Sequence, residues 1–253
     1  MTATDYAIEN AAREFWTLAG GAPQYPCDLE GSLPWALPVH VQAVPSLRVS
    51  HVNSHTRKSG LPYHFPGRDR RLSGCLLAYK EQGVIFLDAG LEQDERRFTL
   101  AHEVAHFLLD YRAPRRRALS ALGEGIRPVL DGLRPPTMEE RVHAMLEGTR
   151  LGVVGHLMAR PGAGLPSSAV LSIESRADRL ALELLAPTSL VMEKAAGLRG
   201  MRVMTYTERM AALSALLVGE HGLPEGIAGK YAAALLHDNG DGPSFRDWLA
   251  GQG

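Results

Sequence analysis

Cysteine is scarce in this sequence: Cys27 and Cys75 are the only two in 253 residues, and they lie far apart. Two distant thiols exclude a disulfide scaffold and fit a protein kept reduced. No apolar run approaches the roughly 18 residues that a spanning helix needs. The opening stretch, with Asp5, Glu9 and Glu14, lacks the basic-then-apolar order of a secretory signal. The expected location is therefore cytoplasmic. An excess of either charge is missing as well, with 27 basic residues against 28 acidic ones. The formal net charge of −1 gives no global attraction to nucleic acid or anionic membrane, so any basic partner surface has to be local. Internal repeats and low-complexity tracts are absent.

What remains is an ordinary globular composition. With 45% hydrophobic and 22% charged residues the chain can build one sizeable core, as a single domain or a main domain with a small satellite.

Residues 5–19 carry Ile8, Ala11, Ala12, Phe15, Trp16 and Ala19 at helical spacing, ended by Gly20, Gly21, Pro23 and Pro26. A second helix-like piece and a β-like stretch, 38–45, follow. Residues 51–73 show no convincing period and read as loop with a short helix at most. The runs Cys75–Tyr79 and Val84–Asp88, joined by the polar Lys80–Gly83, predict a hairpin. Residues 93–110 open with acids and keep three- and four-residue apolar spacing, which predicts a helix of about four turns. The proline-broken stretch 111–172 is a long connection, helical over 138–151. Another apolar helix is expected over 173–186, then three short helical segments from about 188.

The chemistry concentrates in His102-Glu-Val-Ala-His106, an HExxH motif on the expected helix. Residues four apart share a helix face, so both imidazoles can reach one metal ion. Glu103, beside the first ligand, is placed to accept the proton of a water whose pKa zinc lowers to about 7. Short motifs also arise by chance in helices with incidental histidines. Here the flanks keep the helical period and a hairpin precedes.

A catalytic zinc usually takes three protein ligands and keeps one position open. Glu174 is the candidate third ligand; an ordinary carboxylate near a helix N-terminus is the alternative. Asp178, one turn on, is a candidate acceptor for the other N–H of a zinc histidine, or else an ion-pair partner of Arg176 or Arg179. Glu183, nine residues past Glu174, points about 180° away.

Three pieces of the sequence resemble the ImmA/IrrE family of bacterial metallopeptidases. They are Arg96–Leu109 with the HExxH motif, the Val84–Asp88 strand before it, and Glu174–Pro187, which is similar to the family's glutamate helix. Asp178 stands where the family usually has Asn. The resemblance implies an α+β, gluzincin-like zincin fold: mostly helical, around a small three-stranded sheet whose edge can receive an extended substrate. It implies Zn2+ as cofactor, held by His102, His106 and Glu174. It further implies an endopeptidase that cleaves a helix-turn-helix repressor to derepress stress, mobile-element or phage-defence genes. The 67 positions between His106 and Glu174 exceed the family's usual spacing. The expected organisation is a peptidase domain over 1–190, with an insert at 111–172, and a helical module over 191–253.

Weaker signals surround this site. Arg112, Arg115, Arg116 and Arg117 form a basic cluster that is either a nucleic-acid activator site or a solvated face. His143, His156 and Tyr111 are candidate oxyanion stabilisers or proton donors, or simply core and surface residues. Cys75 is a candidate inhibitory fourth ligand, or a small buried residue. Residues 207–236 read as helix, turn, helix, but Lys230 is the sole basic residue of the second helix's 225–236 run, which favours packing over DNA reading. The alternatives to a specific peptidase are a DNA- or partner-sensing regulator on a zincin scaffold and a peptidase with broader substrates.

Overall fold

The computed structural model describes residues 3–159, 168–198 and 203–240. Helix α1 (Ala3–Leu18) buries Ile8, Ala12, Phe15 and Trp16 along one stripe, as their spacing predicts. Helix α2 (Leu29–Ala36) starts where the Asp28 side chain accepts the Gly31 N–H at 2.9 Å. Strand β1 (Val39–Val44) and helix α3 (Val49–Lys58) follow. Helix α3 is the short helix allowed for in 51–73, begun two residues earlier, and the rest of that stretch up to β2 is irregular. Its apolar face is only Val49, Val52 and Thr56, too short a stripe to stand out among polar neighbours.

Strands β2 (Leu72–Tyr79) and β3 (Gln82–Asp88) form the expected hairpin, with a tighter turn than the sequence suggests. Lys80 and Glu81 alone make the turn, both at positive φ (47° and 66°), and Tyr111 Oη accepts the Glu81 N–H at 2.8 Å. Gly83 is already in the strand.

Helix α4 (Gln93–His106) carries the HExxH motif and passes into a π-helical segment, Phe107–Arg112, then α5 (Ala113–Leu122). The long connection is thus structured. It goes on through a 3-10 turn (Glu124–Ile126), α6 (Arg127–Leu130), α7 (Met138–Leu146) and strand β4 (Val154–Ala159). Helix α8 (Ser168–Leu185) begins five residues before the expected start. Helices α9 (Thr188–Gly197), α10 (Tyr206–His221) and α11 (Glu225–Asp238) complete the order.

The sheet has four strands, not three, in the order β1-β3-β2-β4. Strand β1 is parallel to β3, and β2 is antiparallel to both β3 and β4. The extra strand comes from the 111–172 stretch, whose residues 154–159 pair along β2. Alternation splits β2 between two cores. Leu76 and Ala78 face the helices and join Leu100, Ala101, Val104 and Ala105 of α4 with Ala177, Leu180, Ala181 and Leu184 of α8. Cys75 and Leu77 face the other way, into a cluster with Leu47, Val52, Phe65 and Phe86. The main core continues into α10 and α11 through Leu213, Leu217, Ala228 and Tyr231. Among the described residues no helix is long and apolar enough to cross a membrane.

Candidate metal centre

The position of α4 on the sheet is set by Gly74. A Cβ there would lie 2.7 Å from Thr99 Cγ2 and 3.1 Å from Glu103 Oε1, so the missing side chain lets β2 lie directly against the HExxH turn. Helix α8 packs on α4 from the side away from the sheet's second core. It is fixed there by Trp16 Nε1, which donates to the Leu184 carbonyl at 3.2 Å. His102, Glu103 and His106 are all buried as a result.

Four side chains converge: His102, His106, His156 and Glu174 each offer a ligand atom, and these atoms lie within 4.8 Å of one another. His102 Nε2 and His106 Nε2 are 3.0 Å apart, and Glu174 Oε2 is 3.2 Å from the first and 3.8 Å from the second. The other ring nitrogens face carboxylates, His102 Nδ1 to Asp178 at 2.8 Å and His106 Nδ1 to Asp110 at 2.7 Å. An ionised carboxylate only accepts, so each Nδ1 carries a proton, and each Nε2 faces Glu174, where a metal ion could take the place of a second proton. Two ring nitrogens and a carboxylate oxygen at these separations need positive charge among them, which protons supply in the empty site and a metal ion supplies when bound. The donor set therefore fits a metal ion, and two imidazoles with a carboxylate suit zinc well.

The electrostatics agree. Burial alone lowers the pKa of His102, but Asp178, Glu174 and Glu103 override it and raise it to about 9. Burial opposes charge on His156 too, and Glu103 and Glu174 push it up to about 10. Burial pulls the Glu174 carboxyl upward, yet hydrogen bonds from the three imidazoles hold it well below the usual carboxylate range. The site is a concentration of negative charge that favours cations.

Glu103 has no solvent exposure. Its Oε2 accepts from His156 Nδ1 at 2.9 Å, while Oε1 has no partner among the described residues. His156 stacks on His106 with ring centroids 3.5 Å apart and reaches Glu174 Oε1 through Nε2 at 3.0 Å. A cleft of about 270 Å³ opens beside these residues, lined also by Tyr63, Phe65 and Asp110.

Other candidates from the sequence lie elsewhere. Cys75 is turned into the second core, where burial pushes its thiol well above the ordinary range, so it is not among the converging ligands. Alternation along β2 is the reason: Leu76, not Cys75, faces α4. Tyr111 points back to the hairpin turn and serves as its anchor. His143 sits on α7 with a buried Nε2 that has no partner among the described residues, outside the cluster. The basic cluster is largely spent on internal pairs. Arg115 is buried against Asp131 at 2.6 Å, Arg116 meets Glu14 at 2.7 Å, and Arg117 meets Glu147 at 3.2 Å. Arg176 approaches Asp110 rather than Asp178. Sequence reasoning missed Asp110, although its place four residues after His106 on a helix was the available signal.

Residues 56–124 match the model of a peptidase family, described as the IrrE N-terminal-like domain. That segment runs from late α3 through the hairpin, the HExxH helix and α5; β4 and α8 lie beyond it. No curated protein matches the chain. Over residues 56–124, about a quarter of its length, the chain is thus similar to the IrrE N-terminal-like domain of that peptidase family.

Proposed function

We propose that the protein is a zinc-dependent, site-specific endopeptidase that cleaves a helix-turn-helix transcriptional repressor and so releases stress, mobile-element or phage-defence genes. The observation that carries the peptidase reading is the convergence of His102 Nε2, His106 Nε2 and Glu174 Oε2 beside the buried Glu103 carboxylate. Zinc, when bound, supplies Lewis acidity and acidifies a water. His102 and His106 hold the ion through Nε2, their tautomers fixed by Asp178 and Asp110. Glu174 completes the protein ligands. Glu103 takes the proton of the attacking water and returns it to the leaving amine.

The repressor as substrate rests on the family resemblance. Pairing of Arg115, Arg116 and Arg117 with carboxylates favours a protein partner over a nucleic-acid activator. Residues 191–253 are read as a packing module, supported by the burial of α10 and α11 residues in the main core.

The test is mass spectrometry of any helix-turn-helix protein that is encoded beside this gene, incubated with the zinc-loaded protein and with its Glu103→Gln variant. A single cut made only by the wild type supports peptidase, base and substrate together. Cleavage by both removes Glu103 from the mechanism, and cleavage by neither points to a closed resting enzyme or to a different substrate.

A further inference from the structure

An extended peptide that reaches Glu103 by adding a strand to the sheet has one edge to join. Strand β2 lies directly on the HExxH turn, and β3 already pairs with its other side. Main-chain pairing along β2 would carry such a peptide past the converging ligands. In this chain β4 holds that edge, antiparallel to β2, with His156 opposite Leu76, the residue that faces the helices. His156 therefore projects to the same side, onto His106, Glu103 and Glu174. One of the two Glu103 oxygens is taken up by His156 Nδ1. Four converging donors are also one more than an open zinc site uses; closed four-ligand sites are structural rather than catalytic. A role for His156 in steadying a reacting carbonyl needs space between its ring and the ligands. Stacking at 3.5 Å and the 3.0 Å approach to Glu174 leave none.

We propose that β4 is a built-in strap that occupies the substrate strand's place, and that His156 closes the metal centre as a fourth ligand. The inference rests on the metallopeptidase reading above. The strap is clasped from outside. A Cβ on Gly155 would lie 2.4 Å from Phe65 Cζ and 2.8 Å from Tyr63 Cε1, so these rings press on the β4 backbone. Phe65 is itself tied to α3, its carbonyl accepting from Asn53 Nδ2 at 3.1 Å and its N–H donating to Asn53 Oδ1 at 2.9 Å. Release of β4 frees Glu103, opens a coordination position and exposes the β2 edge in one movement.

The experiment uses the full chain, loaded with zinc for X-ray absorption and with cobalt(II) for visible titration with acetohydroxamate, which needs an open coordination position. Wild type, His156→Ala and His156→Gln are compared, the Gln variant carrying the test where Ala does not fold. The expected result is three imidazoles on zinc in the wild type and two in the variants. Acetohydroxamate should bind the variants about tenfold or more tightly than the wild type, which binds only in its minor open fraction. Two imidazoles and equal acetohydroxamate affinity in all three proteins would overturn the strap and leave the peptidase reading intact. Failure of the wild type to take up one equivalent of either metal would overturn the metal centre itself, and the strap with it.

Discussion

His106 and Asp110 are joined across a change of helical pitch: the Nδ1 of the one donates to the Oδ2 of the other at 2.7 Å, where α4 widens into the π-helical segment. Single π turns often mark functional sites in helices. Here the segment serves two ends, because the same turn sends Tyr111 to the β2–β3 hairpin. One irregular stretch thus holds the second histidine's tautomer and the sheet's tight turn.

Asp110→Ala and Asp178→Ala should each weaken zinc binding, by about 10- to 100-fold, because the carboxylate fixes the proton on Nδ1 and strengthens Nε2 as a ligand. Competition with a chromogenic chelator measures this. Wild-type affinity in either variant would show that its histidine is oriented by packing alone.

Gly74→Val should destabilise the fold by about 1–3 kcal/mol, the usual cost of overpacking a filled interior. The new side chain has to displace Thr99 and crowd Glu103. Urea midpoints give the stability, and a companion Thr99→Ser change should restore part of it by removing the methyl group in the way. An unchanged midpoint for Gly74→Val would mean that α4 sits less tightly on β2 than these distances imply.

Gly155→Leu should loosen the strap without touching His156. Its side chain collides with Phe65 and Tyr63, so acetohydroxamate binding to the cobalt protein should tighten. Phe65→Ala alone, which removes one of the rings pressing on β4, should tighten it as well. A single variant that binds acetohydroxamate like the wild type would place the clasp elsewhere.

His221 gives a pH signature remote from the metal. Its Nδ1 donates to the Leu185 carbonyl at 3.1 Å, its Nε2 is buried without a partner among the described residues, and burial lowers its pKa. The folded state then binds fewer protons than the unfolded state. Stability is fully present above the ordinary histidine value, roughly 6.5, and is lost as the pH falls below it. Urea midpoints of wild type and His221→Gln between pH 8 and pH 5 should therefore differ in slope, the wild type losing more in acid. Parallel curves would show that His221 takes up its proton equally well in the folded protein.

Much of this architecture is legible in the residues because the patterns are local. The stripe Ile8, Ala12, Phe15, Trp16 specifies α1, and two apolar runs around a short polar link specify the hairpin. His102 and His106 share a face through their spacing alone, and Glu174 and Asp178 are found by the same helical arithmetic. What escaped was set by distant partners. Strand β4 is six residues, Val-Gly-His-Leu-Met-Ala, with little alternation, and only β2 alongside makes it a strand. His156 therefore stood out no more than His143, though one lies in the cluster and the other does not. Helix α3 depends on the second core, whose other members are scattered from Leu47 to Phe86. The arginines after α4 looked like a patch because their carboxylate partners lie as far off as Glu14 and Glu147.

The four-stranded sheet also bears on solubility. Strand β2 is apolar from Cys75 to Ala78 and buried throughout that run, and β4 is what covers its outer side. Without β4 it would present a row of unpaired amides and carbonyls, a template on which other chains pair and aggregate. A molecule opened in this way would accordingly be sticky. Opening would then be productive only where a client strand stands ready to take the vacated edge.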